Sequence, residues 1–145
     1  MPEHVIVQQN SDFEIAFLAA DPEAEEGAEG DEPEPVYHVH ELTPYGMMLA
    51  SLGSCTTIVL HTYAQHHDVA LDDVEIDLRY QRIFAEDCED CTNIDRYEER
   101  IEQEIKFRGD LTEGERKRLF HVSKQCSIHK MFESGIKIES RLLSG

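Results

Sequence analysis

The side chains able to do nucleophilic, redox or metal chemistry in this sequence are few. Four cysteines, Cys55, Cys88, Cys91 and Cys126, and eight histidines carry most of it. A thiolate is both a nucleophile and a metal ligand, and how much of it exists is governed by the thiol pKa. Cys55 falls within a long apolar run, and Cys126 falls at the junction of two helical segments, placed to cap the second. A helix N-terminus favours the thiolate. On spacing alone both cysteines read first as small core hydrophobes, the usual state of a free cysteine. The run Cys88-Glu89-Asp90-Cys91 admits three readings: half of a zinc site with no second CxxC to complete it, a redox dithiol serving Cys55 and Cys126, or an inert exposed loop. The acids Glu86, Asp87, Glu89 and Asp90 around it raise thiol pKa values, which argues against a fast nucleophile there. His38-Val39-His40 places two imidazoles on one face of a strand, a metal pair only if further ligands converge on it. His66-His67 suits a helix C-terminus, and His129, shortly after Cys126, is within reach of a thiolate or sits as a surface histidine. Met47 and Met48 read as core filling.

Several elements must position these groups. Val5-Ile6-Val7 and Phe13 to Phe17 alternate as strands about the turn residues Asn10-Ser11-Asp12, a hairpin. Tyr37 to His40 reads as a short third strand. Thr43 suits an N-cap and Pro44 the first helical position. The helix they open runs to about His67, with Met48, Leu52, Cys55, Val59 and Thr62 at helical spacing on one face. Met47, Leu49, Ala50, Ile58 and Leu60 lie off that face, so the helix is apolar nearly all round and should be buried on most sides. Val74, Ile76, Leu78 and Tyr80 alternate with polar residues in a strand reaching about Phe84, followed by a polar excursion from Glu86 to Asn93. Ile94 to Arg108 fits strand and helix alike. Thr112 and Glu115 form a capping box for a helix carrying Leu119, Val122 and Cys126. A shorter helix from Ser127 to Glu133 ends at Gly135, and Ile136, Ile138 and Leu142 read as a closing strand. This order predicts an α+β domain spanning residues 1–145.

Charge excludes several functions. The chain has 145 residues, 31 acids, 13 bases and a formal charge of −18. Residues 1–78 hold 17 of the acids and no Lys or Arg. Nucleic acids and anionic lipid surfaces select clustered Lys and Arg, so neither is an expected partner. No apolar run reaches the roughly 20 residues of a membrane span. The N-terminus lacks the basic residues of a signal or transit peptide, so a cytoplasmic chain with reduced cysteines is expected. The densest acidic block, Asp21 to Pro35, should form a mobile solvated loop.

The run from Thr43-Pro44 through Met47-Met48-Leu49-Ala50-Ser51-Leu52-Gly53-Ser54-Cys55-Thr56, with Asp31-Glu32-Pro33 before it, resembles the OsmC/Ohr family. The resemblance continues through Arg82-Ile83, Glu86 to Cys91, Gly109-Asp110-Leu111 and Cys126-Ser127-Ile128-His129-Lys130, and it leaves only the acidic loop without a counterpart. It implies an α+β fold of N-terminal strands, a long buried central helix, then further strands and helices, assembled as an intertwined homodimer whose sites draw on both subunits. It makes Ile94 to Arg108 mostly strand. It implies thiol-dependent reduction of organic hydroperoxides, with the peroxidatic role falling on Cys55 and the resolving role on Cys126. No bound cofactor is implied; zinc at Cys88 and Cys91 is the less favoured option. The reductant would be an external dithiol, often a lipoyl-bearing protein. The alternative is a non-peroxidase member of the fold, a thiol-based binding or sensor protein, with or without metal at Cys88 and Cys91. Peroxidase members place an Arg from the N-terminal half beside the reactive thiol and a Glu just after the proline of the helix start. Here nothing basic except histidine precedes Arg79, and Tyr45 and Gly46 follow Pro44. His38, His40, Glu41, Arg79 and Arg82 are the candidate substitutes.

Overall fold

A computed structural model describes residues 3–84 and 97–143 of the chain. The elements run β1 (Glu3–Asn10), β2 (Ile15–Ala19), β3 (Glu34–Val36), a 3-10 turn (Val39–Glu41), α1 (Pro44–His66), β4 (Leu71–Phe84), β5 (Tyr97–Gly109), α2 (Glu113–Ser123) and α3 (Ser127–Ser134). The five strands make one antiparallel sheet in the order β3-β2-β1-β4-β5. The fold is thus α+β, with the helices on one face of the sheet.

Alternation decides which face each strand buries. Val5, Val7, Val74, Ile76 and Leu78 are sealed beneath α1. Their opposite-facing neighbours meet water and pair across strands, His4 Nε2 with Asp77 at 2.8 Å and Gln8 with Glu75 at 2.7 Å. The hairpin of β1 and β2 is closed by Asn10, whose Oδ1 accepts from the backbone of Asp12 and Glu14, while Phe13 takes the left-handed conformation at φ 63°.

α1 begins as its sequence predicts, with the Thr43 hydroxyl accepting from Gly46 N and Pro44 at the first position. Its deepest face is Leu49, Gly53, Thr56 and Leu60, set against β1 and β4. The predicted stripe of Met48, Cys55 and Val59 is only partly buried, and Ile58 is 46 % exposed. One chain therefore covers less of this helix than its apolar circumference leads one to expect. α2 and α3 pack against α1. The capping box of Thr112 and Glu115 is closed in both directions, at 3.1 and 2.9 Å.

Two expectations are corrected. Tyr37 to His40 is not a strand: β3 ends at Val36, and the Glu41 carboxylate accepts from Tyr37 N at 2.8 Å and His38 N at 3.0 Å, curling the chain into the 3-10 turn. The acidic segment is an exposed loop built as a series of self-bonded turns. Asp21 N donates to Gly30 O, Gly27 N to Asp31 Oδ2, and the last residues of the block start β3. Ile136, Ile138 and Leu142 lie beyond the last helix without strand partners, 64, 80 and 99 % exposed. Their alternation supplies an apolar edge, but among the described residues no strand stands beside it. Ile94 to Arg108, ambiguous by period, is strand from Tyr97 onward, paired along its length with β4. The excursion from Glu86 to Asn93, with Cys88 and Cys91, lies outside the described residues. Among those described, no helix is long and apolar enough to cross a membrane.

Candidate active site

Cys55 sits midway along α1, on the face turned toward α3 rather than the sheet, and is partly exposed. Cys126 sits in the tight link from α2 to α3, where its sulfur caps α3 by accepting from His129 N at 3.5 Å. It is fully buried. The two cysteines, remote in sequence, meet here: the Cys126 thiol interacts with the Cys55 thiol and the Thr56 hydroxyl. Burial pushes the Cys126 thiol above its ordinary value, and the Cys55 sulfur adds to that. The His129 N–H and Thr56 act the other way without prevailing. The helix N-terminus that a sequence argument makes thiolate-stabilising is thus outweighed by desolvation. The pair consists of a more accessible thiol and a buried one held protonated beside it.

A cavity of about 420 Å³ opens between the first turns of α1, strands β4 and β5, and α3; Leu52 and His129, each three residues from one of the thiols, are in its wall, and the thiols themselves are not. Tyr45, Met48, Leu52, Ile101 and Phe132 give it aromatic and aliphatic walls; Tyr80, Glu99, Gln103, His129 and Glu133 supply the polar groups. Tyr45 and Tyr80 stack at 4.8 Å between centroids. The Tyr80 hydroxyl donates to Glu99 at 2.9 Å, and burial raises its pKa, the Arg82 contact opposing this and the carboxylate adding to it. Arg82 donates from Nη2 to the Tyr45 hydroxyl at 2.6 Å and from Nε to that of Tyr80 at 3.3 Å. Gln103 Oε1 and His129 Nδ1 are buried without a hydrogen-bond partner. A cleft with aromatic and aliphatic walls and two unpartnered polar atoms suits a small, largely apolar molecule with a polar head.

Of the five candidate substitutes for the family's Arg and Glu, only Arg82 reaches the residues of this cavity. Arg79 binds Asp77 at 3.4 Å on the outer face of the sheet. His38 and His40 stack on each other at 5.4 Å on the 3-10 turn, whose carboxylate, Glu41, is spent on backbone caps. Among the described residues no group of three or more His, Cys, Asp or Glu side chains converges as a metal site. His67 stacks on Tyr63 at the end of α1, centroids 4.2 Å apart. A second cavity, about 500 Å³ and bordered by Glu3, Asp21, Glu23, Glu34 and Glu41, lies away from both thiols.

The residues that reading the sequence missed are Tyr45, Tyr80, Glu99, Gln103 and Glu133. Some signal was there. Glu133 stands four residues after His129 on one helix, and the ring nitrogen Nε2 meets its carboxylate at 2.6 Å. Glu99 and Gln103 share the inward register of β5 with Ile101, but only once that segment is known to be a strand.

A family model described as OsmC-like protein matches residues 38–141. The structure is similar to that of an OsmC-like hydroperoxide resistance protein from Jannaschia sp. CCS1, at TM-score 0.61 and 16 % identity, over 99 % of this chain and 95 % of that one. No curated protein matches.

Proposed function

The chain belongs to the OsmC-like family, and on that premise we propose that it reduces organic hydroperoxides through Cys55 and Cys126. The observation that carries the reading is the contact between a partly exposed thiol and a buried one, with a cavity whose walls include Leu52, three residues before Cys55, and His129, three residues after Cys126. The hydroperoxide resistance named for the similar Jannaschia structure agrees with it.

In this reading the Cys55 thiolate attacks the distal oxygen of the hydroperoxide. The O–O bond breaks, the alcohol leaves after taking a proton, and Cys55 becomes a sulfenic acid. Cys126 then attacks that sulfur, water leaves, and a disulfide joins the two residues. An external dithiol, of the lipoyl type, exchanges with the disulfide, returning both thiols and leaving as the cyclic disulfide. Arg82, bonded to Tyr45 and Tyr80, brings a positive charge to the cavity wall. No resident cofactor enters the cycle, and the resting thiols require a reducing compartment, which we take to be the cytoplasm. The working unit in this reading is a homodimer. The half-buried face of β5, the exposed Ile58 of α1 and the apolar tail from Ile136 to Leu143 are the surfaces a second copy would cover.

The test is mass spectrometry after one equivalent of cumene hydroperoxide. Wild type should close a Cys55–Cys126 disulfide. Cys126→Ser should stop at sulfenic acid on Cys55, trapped by dimedone, and Cys55→Ser should consume no peroxide, because a serine hydroxyl cannot form the sulfenic acid. Oxidation appearing first at Cys88 or Cys91 with Cys55 untouched would assign the chemistry to another pair.

A further inference from the structure

Charge in this protein is divided between the two edges of the sheet. The acidic block from Asp21 to Pro35 leads into β3, one edge strand, and residues 1–78 hold 17 acids without a Lys or Arg. α2 lies at the other edge, where Arg116 donates from Nη1 to the Phe107 carbonyl of β5 at 3.1 Å. Four strand spacings, about 19 Å, separate the two edges. Beyond Glu115 the charge reverses: residues 116–132 contain Arg116, Lys117, Arg118, Lys124 and Lys130 and no acid. α2 buries Leu119, Val122 and Ser123 and turns Lys117, Phe120, His121 and Lys124 to solvent, a face built on spacings of three and four. Lys117, Lys124 and Lys130 make no ion pair among the described residues, and Arg118 donates to the neutral Tyr63 hydroxyl at 3.2 Å. Phe120 is 49 % exposed, and the Lys124 ammonium lies 4.7 Å from its ring centroid. An aromatic ring with a charged rim is the composition of an interface anchor. This face ends at the thiol pair. Lys124 is two residues before Cys126, so their Cα atoms are at most about 7 Å apart. Lys130 is one turn beyond Cys126, its N–H donating to the Cys126 carbonyl at 3.1 Å.

We infer that this face docks the protein that returns electrons to Cys55 and Cys126, and that this partner presents acidic residues around its dithiol. The inference rests on the proposed cycle, which requires an external dithiol. Exposed charges are screened beyond about 8 Å at physiological ionic strength, so a partner responds to the patch it faces more than to the whole chain. A basic partner would be drawn to the acidic half, at the sheet edge far from α2. An acidic one is repelled there and attracted beside the thiols, which steers encounter and fixes register. A nucleic acid, an extended polyanion, would reach past the patch onto acidic surface. In the docked state one partner thiol, having lost its proton, attacks the sulfur of Cys55, the more accessible of the pair. The Cys55–Cys126 bond breaks, and Cys126 leaves with its electrons and takes up a proton. The partner's second thiol then loses its proton and displaces Cys55 from the mixed disulfide, and Cys55 is protonated in turn. Both cysteines are reduced, and the partner's dithiol is oxidised to a disulfide.

The test avoids peroxide. In protein carrying Cys88→Ser and Cys91→Ser, diamide closes the Cys55–Cys126 disulfide, taking up the two thiol hydrogens. Three reductants then reopen it at about 0.15 M salt. They are a Cys-Gly-Pro-Cys peptide flanked by glutamates, the same peptide flanked by lysines, and dithiothreitol. Each rate is read as a ratio, Lys117→Glu/Lys124→Glu over its parent, which cancels the reagent's own reactivity. The ratio should fall about 10-fold for the glutamate peptide, lie at or above one for the lysine peptide and stay at one for dithiothreitol. Arg100→Glu/Lys106→Glu makes the same change of net charge at exposed positions of β5 and should leave all three ratios at one. A glutamate-peptide ratio near one, or an equal fall with all three reductants, overturns the inference. So does altered sedimentation of Lys117→Glu/Lys124→Glu at an unchanged glutamate-peptide ratio, which gives the face to a second copy of the chain. A disulfide that diamide never closes removes the pairing and the inference with it. If the ratios behave as expected while hydroperoxide leaves Cys55 untouched, the proposed activity falls and the docking face stands.

Discussion

Replacing Gly53 by alanine probes how closely α1 lies on the sheet, two residues before Cys55. A Cβ built at Gly53 would stand 2.6 Å from Val7 Cγ2, 2.9 Å from Leu78 Cδ1 and 3.1 Å from Val7 Cβ. Comfortable carbon separations are about 3.5–4.0 Å, so a shift near 1 Å is required. Neither neighbour has room to yield, since Val7 and Leu78 are fully buried and the branched Val7 has little rotamer freedom. Overpacking of this kind costs about 1–3 kcal/mol. Against it stands the helix propensity of alanine over glycine, worth about 1 kcal/mol in a helix interior. The net expectation is a loss of roughly 1 kcal/mol, or about 4 °C in Tm for a chain this size. The sign reverses when space is made. In a Val7→Ala background the added methyl fills the hole, and Gly53→Ala should stabilise by up to about 1 kcal/mol through propensity and packing. Urea and thermal unfolding of the four proteins, at one fixed protein concentration, measure the cycle. A Gly53→Ala protein more stable than wild type, or an identical effect in both backgrounds, would mean that α1 is not seated on Val7 as described.

Two further outcomes are expected. Backbone N–H groups of His38 and Tyr37 hold the Glu41 carboxyl below its ordinary value of 4.5. A depressed folded value means its stabilising effect is whole above the unfolded value and fades as pH falls through the folded one. Glu41→Gln should therefore flatten the acid limb of a Tm-against-pH curve while exposing the 3-10 turn to faster amide exchange; an unaltered acid limb would refute the capping role. For assembly, sedimentation at micromolar concentration should find a dimer, and truncation after Gly135 should weaken it. A stable, folded full-length monomer would count against the proposed working unit.

Much of this protein is legible because its signals are local. Thr43-Pro44 and the Thr112–Glu115 box mark helix starts through bonds made within one turn. The alternation of Val74, Ile76, Leu78 and Tyr80 marks β4 because one face of it is buried whatever else the chain does. The cysteines and their likeness to a known family could likewise be read from residue order. Tertiary structure decided the rest. Tyr97 to Gly109 becomes strand because β4 offers it an edge, and an isolated stretch with Ile101 and Ile105 four apart carries no such information. Tyr37 to His40 becomes a turn because one carboxylate reaches back to two amides, and the tail after Gly135 stays out of the sheet because no neighbouring edge among the described residues receives it. The ionisation of Cys126 is the clearest case. Sequence places it at a helix N-terminus, which favours the thiolate; folding removes it from water beside a second sulfur, and desolvation wins. The vacant nitrogen of His129 is of the same kind, since whether a lone pair has a partner depends on every element packed around it.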